Sequence, residues 1–451
     1  MTRFFLIGGV LCFVFEMVLA VSSELCAQSL PAKPVPGKAA CPLCAKIPDF
    51  AKIFDPKAKV ELPPDVSADQ LLEAFCAACQ TIDSCVAEID SLQKQLPELQ
   101  SAAESVRKTN DPALGSDSTR GSDSTRVADS ALDSDSDSGS ESAAARAERI
   151  QKRILLLERQ THGLYHQTLD WVGTVWRIAP QNATVQQYLF FLLTTAIKQD
   201  QYEAAYVISR ELMSQKAYGK EPILYDLAGI SAFMVSKFDV ARLCFEEAQK
   251  KGTLTAMAAV YRDLIPYGAQ AWKTEQALRR QEALKGELPR VLLQTTRGEV
   301  EIELFEDSAP ETAAAFLALV NAGFYDENEF STVLSGLFAQ TGKASASGFI
   351  PDEFGRVDAR RHFRGSVVLV HGEKPNSADG RFFIMLAPAP QLDGKFTVFG
   401  RVIRGMEVIS ALERIDAQQP ERFPNVQPDR ILSARVLNRQ AASQTTGSLI
   451  P

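Results

Sequence analysis

Cysteine and histidine are the residues of this 451-residue chain with the widest chemical repertoire, and they number eight and four. Cys41-Pro42-Leu43-Cys44 and Cys76-Ala77-Ala78-Cys79 form two C-x-x-C pairs. That spacing suits a tetrahedral zinc site in a reducing compartment and disulfides in an exported protein. Covalent haem needs a histidine after the second cysteine, and Ala45 and Gln80 stand there. Thioredoxin-type redox chemistry needs a surrounding βαβ pattern, which neither pair has. Cys244 reads as a small buried apolar residue. His162 and His166 lie four apart and share a helical face, but without the carboxylate of an H-E-x-x-H site they read as a solvated pair. The acidic run DSDSDSGSE offers carboxylates to calcium but lacks the ordered loop and its closing bidentate glutamate.

The elements around these residues begin with a leader. Met1–Ala20 has Arg3, then an apolar run from Phe4 to Phe15, then Val18-Leu19-Ala20 at a cleavage-like site. This is the pattern of a secretory signal, and it favours disulfides over zinc. Glu16 interrupts the run short of the ~20 apolar residues a spanning helix needs. The expected location is therefore periplasmic or extracellular, with membrane attachment only if the leader is retained. Lysine plus arginine total 48 and aspartate plus glutamate 56, a formal net charge of −8. The stretch 111–142 holds eight acidic groups and two arginines, so it carries −6 of that total. The rest is near neutral, which argues against nucleic-acid binding.

The predicted organisation is a leader at 1–20, a cysteine-containing lead and helical segment at 21–110, a linker at 111–142, and helical repeats at 143–285. A barrel at 289–438 and a flexible tail at 439–451 complete it. Ser67 is placed to cap a helix whose stripe runs Leu71, Leu72, Phe75, Cys79, Ile82, Val86 and Ile89. The linker repeats GSDSTR at 115–120 and 121–126 and has too few apolar groups to offset its ordering entropy. Gln201-Tyr202-Glu203-Ala204-Ala205 returns as Lys237-Phe238-Asp239-Val240-Ala241, 36 residues on. With Gly229, Ala241 and Phe245 at the crossing positions, the second unit resembles a tetratricopeptide repeat. The first unit has Leu193 and Ser209 at the glycine and aromatic positions. Helices at 143–178 and 255–284 are expected to complete or cap the stack. Such stacks offer a concave face to protein partners, or simply pack.

From Pro289 the periodicity falls to two. Val291–Thr295 and Glu299–Leu304 alternate around Gly298 as a hairpin, Ala309-Pro310-Glu311-Thr312 opens a helix, and short strands follow to about Val436. The runs TTRGEVEIELFEDSAPETAAAFLALVNAGFYD, GLFAQTG, IPDEF, RGSVVLV, RFFIML and LDGKFTVFGRVIRGMEVI occur in that order. They resemble cyclophilin-type peptidyl-prolyl cis-trans isomerases. The fold class implied is a multidomain chain, α-helical and tetratricopeptide-like in its N-terminal and middle part, with an antiparallel β-barrel of cyclophilin type at the C-terminus.

That resemblance implies a site without cofactor or metal. Phe383 would be the ring wall for proline, with Leu337, Phe338, Leu392 and Phe396 lining the rest. Gln340 would hydrogen-bond the substrate backbone, and Gly372 would offer it a main-chain carbonyl. Alternation along the strand gives one of Phe382 and Phe383 to the core and the other to the groove. Four positions depart from the family. Thr332 stands where the family has its arginine donor, Gln391 replaces a tryptophan or comparable group, His371 replaces a small residue, and Arg381 replaces a glutamine. Arg381 could swing inward to replace the missing cation or stay at the rim. Three readings follow: an exported isomerase of reduced activity acting on proline-containing peptides or unfolded protein, a non-catalytic peptide-binding module, or an adaptor whose repeats hold the partner.

Overall fold

The computed structural model describes residues 66–109, 142–215, 221–344, 349–420 and 426–437. The leader, Cys12, Cys26, Cys41, Cys44, almost all of the Ser/Asp-rich linker and the C-terminal tail lie outside the described residues. The chain divides into two compact units at Ala179–Pro180. No described helix is long and apolar enough to cross a membrane.

The first unit contains α1 (Ala68–Thr109) and α2 (Ala143–Ile178). Ser67 caps α1: the Gln70 N–H donates to Ser67 Oγ (3.2 Å), and the Ser67 N–H donates to Gln70 Oε1 (2.8 Å). Two orphan donors are satisfied reciprocally. Ile89 and Cys85 of α1 pack against Ile150, Ile154 and Leu157 of α2. The N-terminal half of helix 143–178 thus spends its apolar face on α1. Cys79, Cys85 and Cys244 are free thiols, and Cys79 points into the buried stripe with Phe75. Burial first, then the nearby Cys76 and Asp83, pushes the Cys79 thiol up to about 12. Burial alone takes Cys244 to about 11. Neither is a reactive thiolate. His162 and His166 are half-buried, with Nε2 atoms 3.0 Å apart. Burial, then His166, lowers the His162 pKa.

The second unit opens with α3 (Ala183–Lys198), α4 (Tyr202–Ser214), α5 (Pro222–Met234), α6 (Phe238–Lys250) and α7 (Ala256–Lys285). The spacing of 36 seen in the sequence reappears as two identical turns. Gln201 N–H donates to Ala196 O and Lys237 N–H to Ala232 O, each at 2.8 Å. Asp200 and Ser236 sit at φ 58° and 60°. These are Schellman endings, with a left-handed residue just past the helix. Gly229 lies where α5 crosses α6. A Cβ there would stand 2.4 Å from the Phe245 ring. Gly229→Val is therefore expected to destabilise this unit by about 1–3 kcal/mol through overpacking. Thermal unfolding followed by circular dichroism checks it, and an unchanged melting curve would refute the tight crossing.

The barrel follows in the same unit. Its strands are β1 (Arg290–Thr295), β2 (Gly298–Leu304), β3 (Asn328–Leu334), β4 (Phe338–Thr341), β5 (Ser366–Leu369), β6 (Phe382–Met385), β7 (Val398–Arg404), β8 (Ile415–Asp416) and β9 (Arg430–Leu437). They run antiparallel in the order β4-β6-β5-β7-β2-β1-β9-β3-β8. A β3–β4 pairing closes eight of them into a barrel, with β8 added beside β3. Helices α8 (Pro310–Asn321) and α9 (Met406–Ser410) complete the domain. Val291, Leu293, Val300, Ile302 and Leu304 point inward at every second position. Phe316 of α8 meets Tyr325, Phe382 and Phe399 at ring centroids 5.0, 5.3 and 5.0 Å apart. The Tyr325 hydroxyl donates to Gly380 O at 2.8 Å.

Helices and barrel meet through an apolar contact and a buried ionic cluster. Trp272 of α7 stands edge-on to Phe363, centroids 4.9 Å apart. Arg364 grips Glu203 of α4 with two bonds of 2.8 Å. Arg360 reaches Glu275 and Glu282, seven apart on one face of α7. Arg401 of β7 bonds the same Glu282 (3.1 Å) and Glu303 of β2 (3.0 Å). Arg360 lies over the Phe305 ring, 4.2 Å from its centroid.

Candidate active site

Strand register assembles the site. On β4, Ala339 enters the core, so Phe338 and Gln340 share the outer face. On β6, Phe382 and Ile384 enter the core, so Phe383 and Met385 face outward. Gln340 is paired with Thr332 on one side and with Phe383 on the other. Thr332, Gln340 and Phe383 thus lie in one row across three strands.

Leu337, Phe338, Phe383 and Leu392 belong to one buried apolar cluster, with Phe396 packed against it. The Phe383 ring lies 4.9 Å from Phe338 and 5.9 Å from Phe396, centroid to centroid. Phe305, Val368, Met385, Ala389 and Val398 complete the cluster. Sequence reasoning missed these five. Val368 and Val398 were visible only as strand residues, and Phe305 and Ala389 come from loops that no periodicity describes. Thr332, Gln340, His371, Gly372 and Phe396 are half-buried, so they form the open side of the cluster.

His371 stacks on Phe396 at 4.6 Å with 26° between ring planes. Its Nδ1 is 2.7 Å from Gly372 O and its Nε2 is 2.8 Å from Lys395 O. A neutral imidazole can donate to one of these carbonyls, and only the doubly protonated ring donates to both. The ring therefore bridges the two segments that border the pocket. The Gly372 carbonyl already faces this ring and keeps one lone pair for a peptide. The Gly372 N–H donates to Ser377 Oγ at 2.8 Å.

Arg381 is held by Asp379. Its Nε and Nη2 each donate to a separate carboxylate oxygen at 2.8 Å. A side chain clamped at both ends of its fork has little freedom to swing inward. Gln391 is exposed, and Leu392 beside it is buried. Asp393 follows, and the Tyr267 hydroxyl donates to its Oδ2 at 2.6 Å. Burial, then that carboxylate, pushes the Tyr267 phenol up to about 12. Asp416 on β8 is paired with Thr332 on the side away from Gln340.

The arrangement is an apolar pocket with an amide, a hydroxyl and main-chain carbonyls on its rim. Among the described residues, no group of three or more His, Cys, Asp or Glu side chains is placed to hold a metal. Such a rim can bind an extended peptide and enclose one apolar ring, as a proline requires.

Comparison with known proteins agrees with that geometry. The family model described as cyclophilin type peptidyl-prolyl cis-trans isomerase/CLD matches residues 290–436. The peptidyl-prolyl cis-trans isomerase CYP18-2 of Arabidopsis thaliana is 31% identical over 163 residues, 34% of this chain and 97% of that protein. The peptidyl-prolyl cis-trans isomerase ppi1 of Schizosaccharomyces pombe is 34% identical over 154 residues, 33% of this chain and 98% of that protein. With relatives matched almost end to end across its barrel, this chain belongs to the cyclophilin-type peptidyl-prolyl cis-trans isomerase family.

Proposed function

We propose that the chain is an exported cyclophilin-type isomerase of low turnover that assists folding of proline-containing proteins. Its repeats, tetratricopeptide-like in pattern, would hold a protein partner. The observation that carries the reading is the row Thr332–Gln340–Phe383, an intact pocket beside an absent cation. An X-Pro amide rotates over a barrier of ~18–20 kcal/mol set by resonance. A site lowers that barrier by fixing the proline ring and favouring the twisted amide, whose nitrogen regains its lone pair. Phe383, with Phe338, Leu337, Leu392 and Phe396, would enclose the ring. Gln340 and the Gly372 carbonyl would hold the backbone on either side. The step that lacks its donor is the last, because a threonine hydroxyl is short and uncharged.

Exchange spectroscopy on an Ala-Pro peptide with the full chain tests this. Acceleration over the uncatalysed tens of seconds is expected, and Phe383→Ala is expected to remove it with folding intact. Acceleration that survives Phe383→Ala would show that the chemistry lies elsewhere. A second reading, peptide binding without catalysis, is favoured by Thr332 together with the Arg381–Asp379 clamp, which holds a candidate replacement cation. It predicts peptide-induced shifts at Phe383 with no exchange between isomers.

A further inference from the structure

We propose that the helical repeats are part of the peptide site. Asp200, in the turn between α3 and α4, and Tyr267, on α7, act as positioning residues for the two loops that flank the Phe383 pocket. The inference rests on the prolyl-peptide reading above and deepens it.

Asp200 is 1% exposed. Its carboxylate accepts four hydrogen bonds. They come from the Gly336 N–H (2.8 Å), Ser335 Oγ (2.9 Å), Arg414 Nη2 (2.8 Å) and the Tyr202 hydroxyl (3.0 Å). Its own carbonyl accepts from Ser410 Oγ at 2.8 Å. Ser335 and Gly336 form the turn of the β3–β4 hairpin. The next two residues, Leu337 and Phe338, are pocket wall, and the two strands carry Thr332 and Gln340. A buried carboxylate with this many donors has one stable placement, and it fixes the hairpin turn with it.

The repeat itself does not demand a carboxylate at this turn. Ser236 makes the same left-handed turn one repeat later without one. The charge at position 200 therefore answers to the hairpin, not to the helices. The opposite loop has its own tether. Asp393, one residue after the pocket residue Leu392, receives the Tyr267 hydroxyl on Oδ2 and the His362 N–H (2.9 Å) on Oδ1. The helices thus reach the pocket's border at two points. A barrel cut away from them leaves Ser335, Gly336 and one oxygen of Asp393 to water.

The test titrates the full chain with an Ala-Pro peptide and measures bound-peptide exchange at saturation. It also follows amide hydrogen exchange at residues 336–338. Asp200→Asn keeps the volume and one acceptor oxygen. Tyr267→Phe removes a single hydroxyl at a partly exposed position and decides the matter if Asp200→Asn does not fold. Each is expected to weaken peptide binding about five- to tenfold, the loss of a charge-assisted bond or two. Exchange of bound peptide at saturation should stay unchanged, and Asp200→Asn should also lose amide protection at 336–338. A role confined to global stability would move the melting temperature and leave affinity alone. Wild-type affinity in folded variants overturns this inference by itself. No peptide binding by the wild-type chain overturns the prolyl-peptide reading, and this inference with it.

Discussion

Arg360→Ala is expected to destabilise the repeat–barrel unit by about 3–5 kcal/mol, the range for stranding a buried charge. The side chain is 2% exposed, and its partners Glu275 and Glu282 are 5% and 7% exposed. Removing the guanidinium leaves two carboxylates deep between α7 and the barrel, with Arg279 and Arg401 as remaining counter-charges. In melting temperature the loss is on the order of 10 °C. The triple change Arg360→Met, Glu275→Gln, Glu282→Gln should cost less than the single one, because it takes the charges out together. The pH dependence has a definite sign. Burial alone would raise the Glu275 pKa, but Arg360 and Arg279 outweigh it and leave the carboxyl below its ordinary value. Its contribution is therefore present above the unfolded carboxylate pKa, about 4.3, and is lost as the pH falls through the lower folded value. Acid should destabilise the wild-type chain more than Arg360→Ala, which no longer favours the charged carboxylate as strongly. Equal melting temperatures for the two proteins at neutral pH would dismiss the cluster as a stability element.

Thr332→Arg is expected to raise prolyl exchange by about 10²–10³-fold, the usual worth of one preorganised donor. Position 332 is half-buried and directly opposite Gln340, so a longer side chain there leaves along the same face as Phe383. The competing attraction is Asp416, paired with Thr332 from the other side. For that reason Asp416→Asn in the same background should increase the gain if arginine is drawn away from the pocket. A flat rate in both variants, with the peptide still bound, would mean that the amide nitrogen does not sit beside β3.

The barrel was legible because its information is local. Alternation gave one of Phe382 and Phe383 to the core, the family resemblance named Phe383 for the groove, and Gly298 at φ 138° turns the first hairpin where it was expected. The same holds for Ser67, which caps the helix its neighbours predict. What was not legible comes from pairs far apart in sequence. Glu275 and Glu282 look like solvated charges on an exposed helix, and nothing near them announces Arg360. Asp200 looks like a turn residue, which it is, and its second task appears only when Gly336 arrives from 136 positions away. Cys79 read both as half of a C-x-x-C pair and as a member of the apolar stripe of α1, and in the stripe it is buried.

Pairing of β1 with β9 has a consequence for the newly made chain. Helices emerge from the ribosome first and can settle through neighbouring contacts while synthesis continues. The eight-membered ring cannot close until residue 437 is available, so β1 waits with an open edge for nearly 150 residues of translation. Early in that interval Glu275 and Glu282 lack Arg360 and Arg401, and the hairpin that Asp200 will hold has not yet been made. A ribosome stalled near residue 425 would present folded helices beside an unclosed sheet, open to other strands. Closure of the barrel that carries the peptide pocket therefore waits for β9.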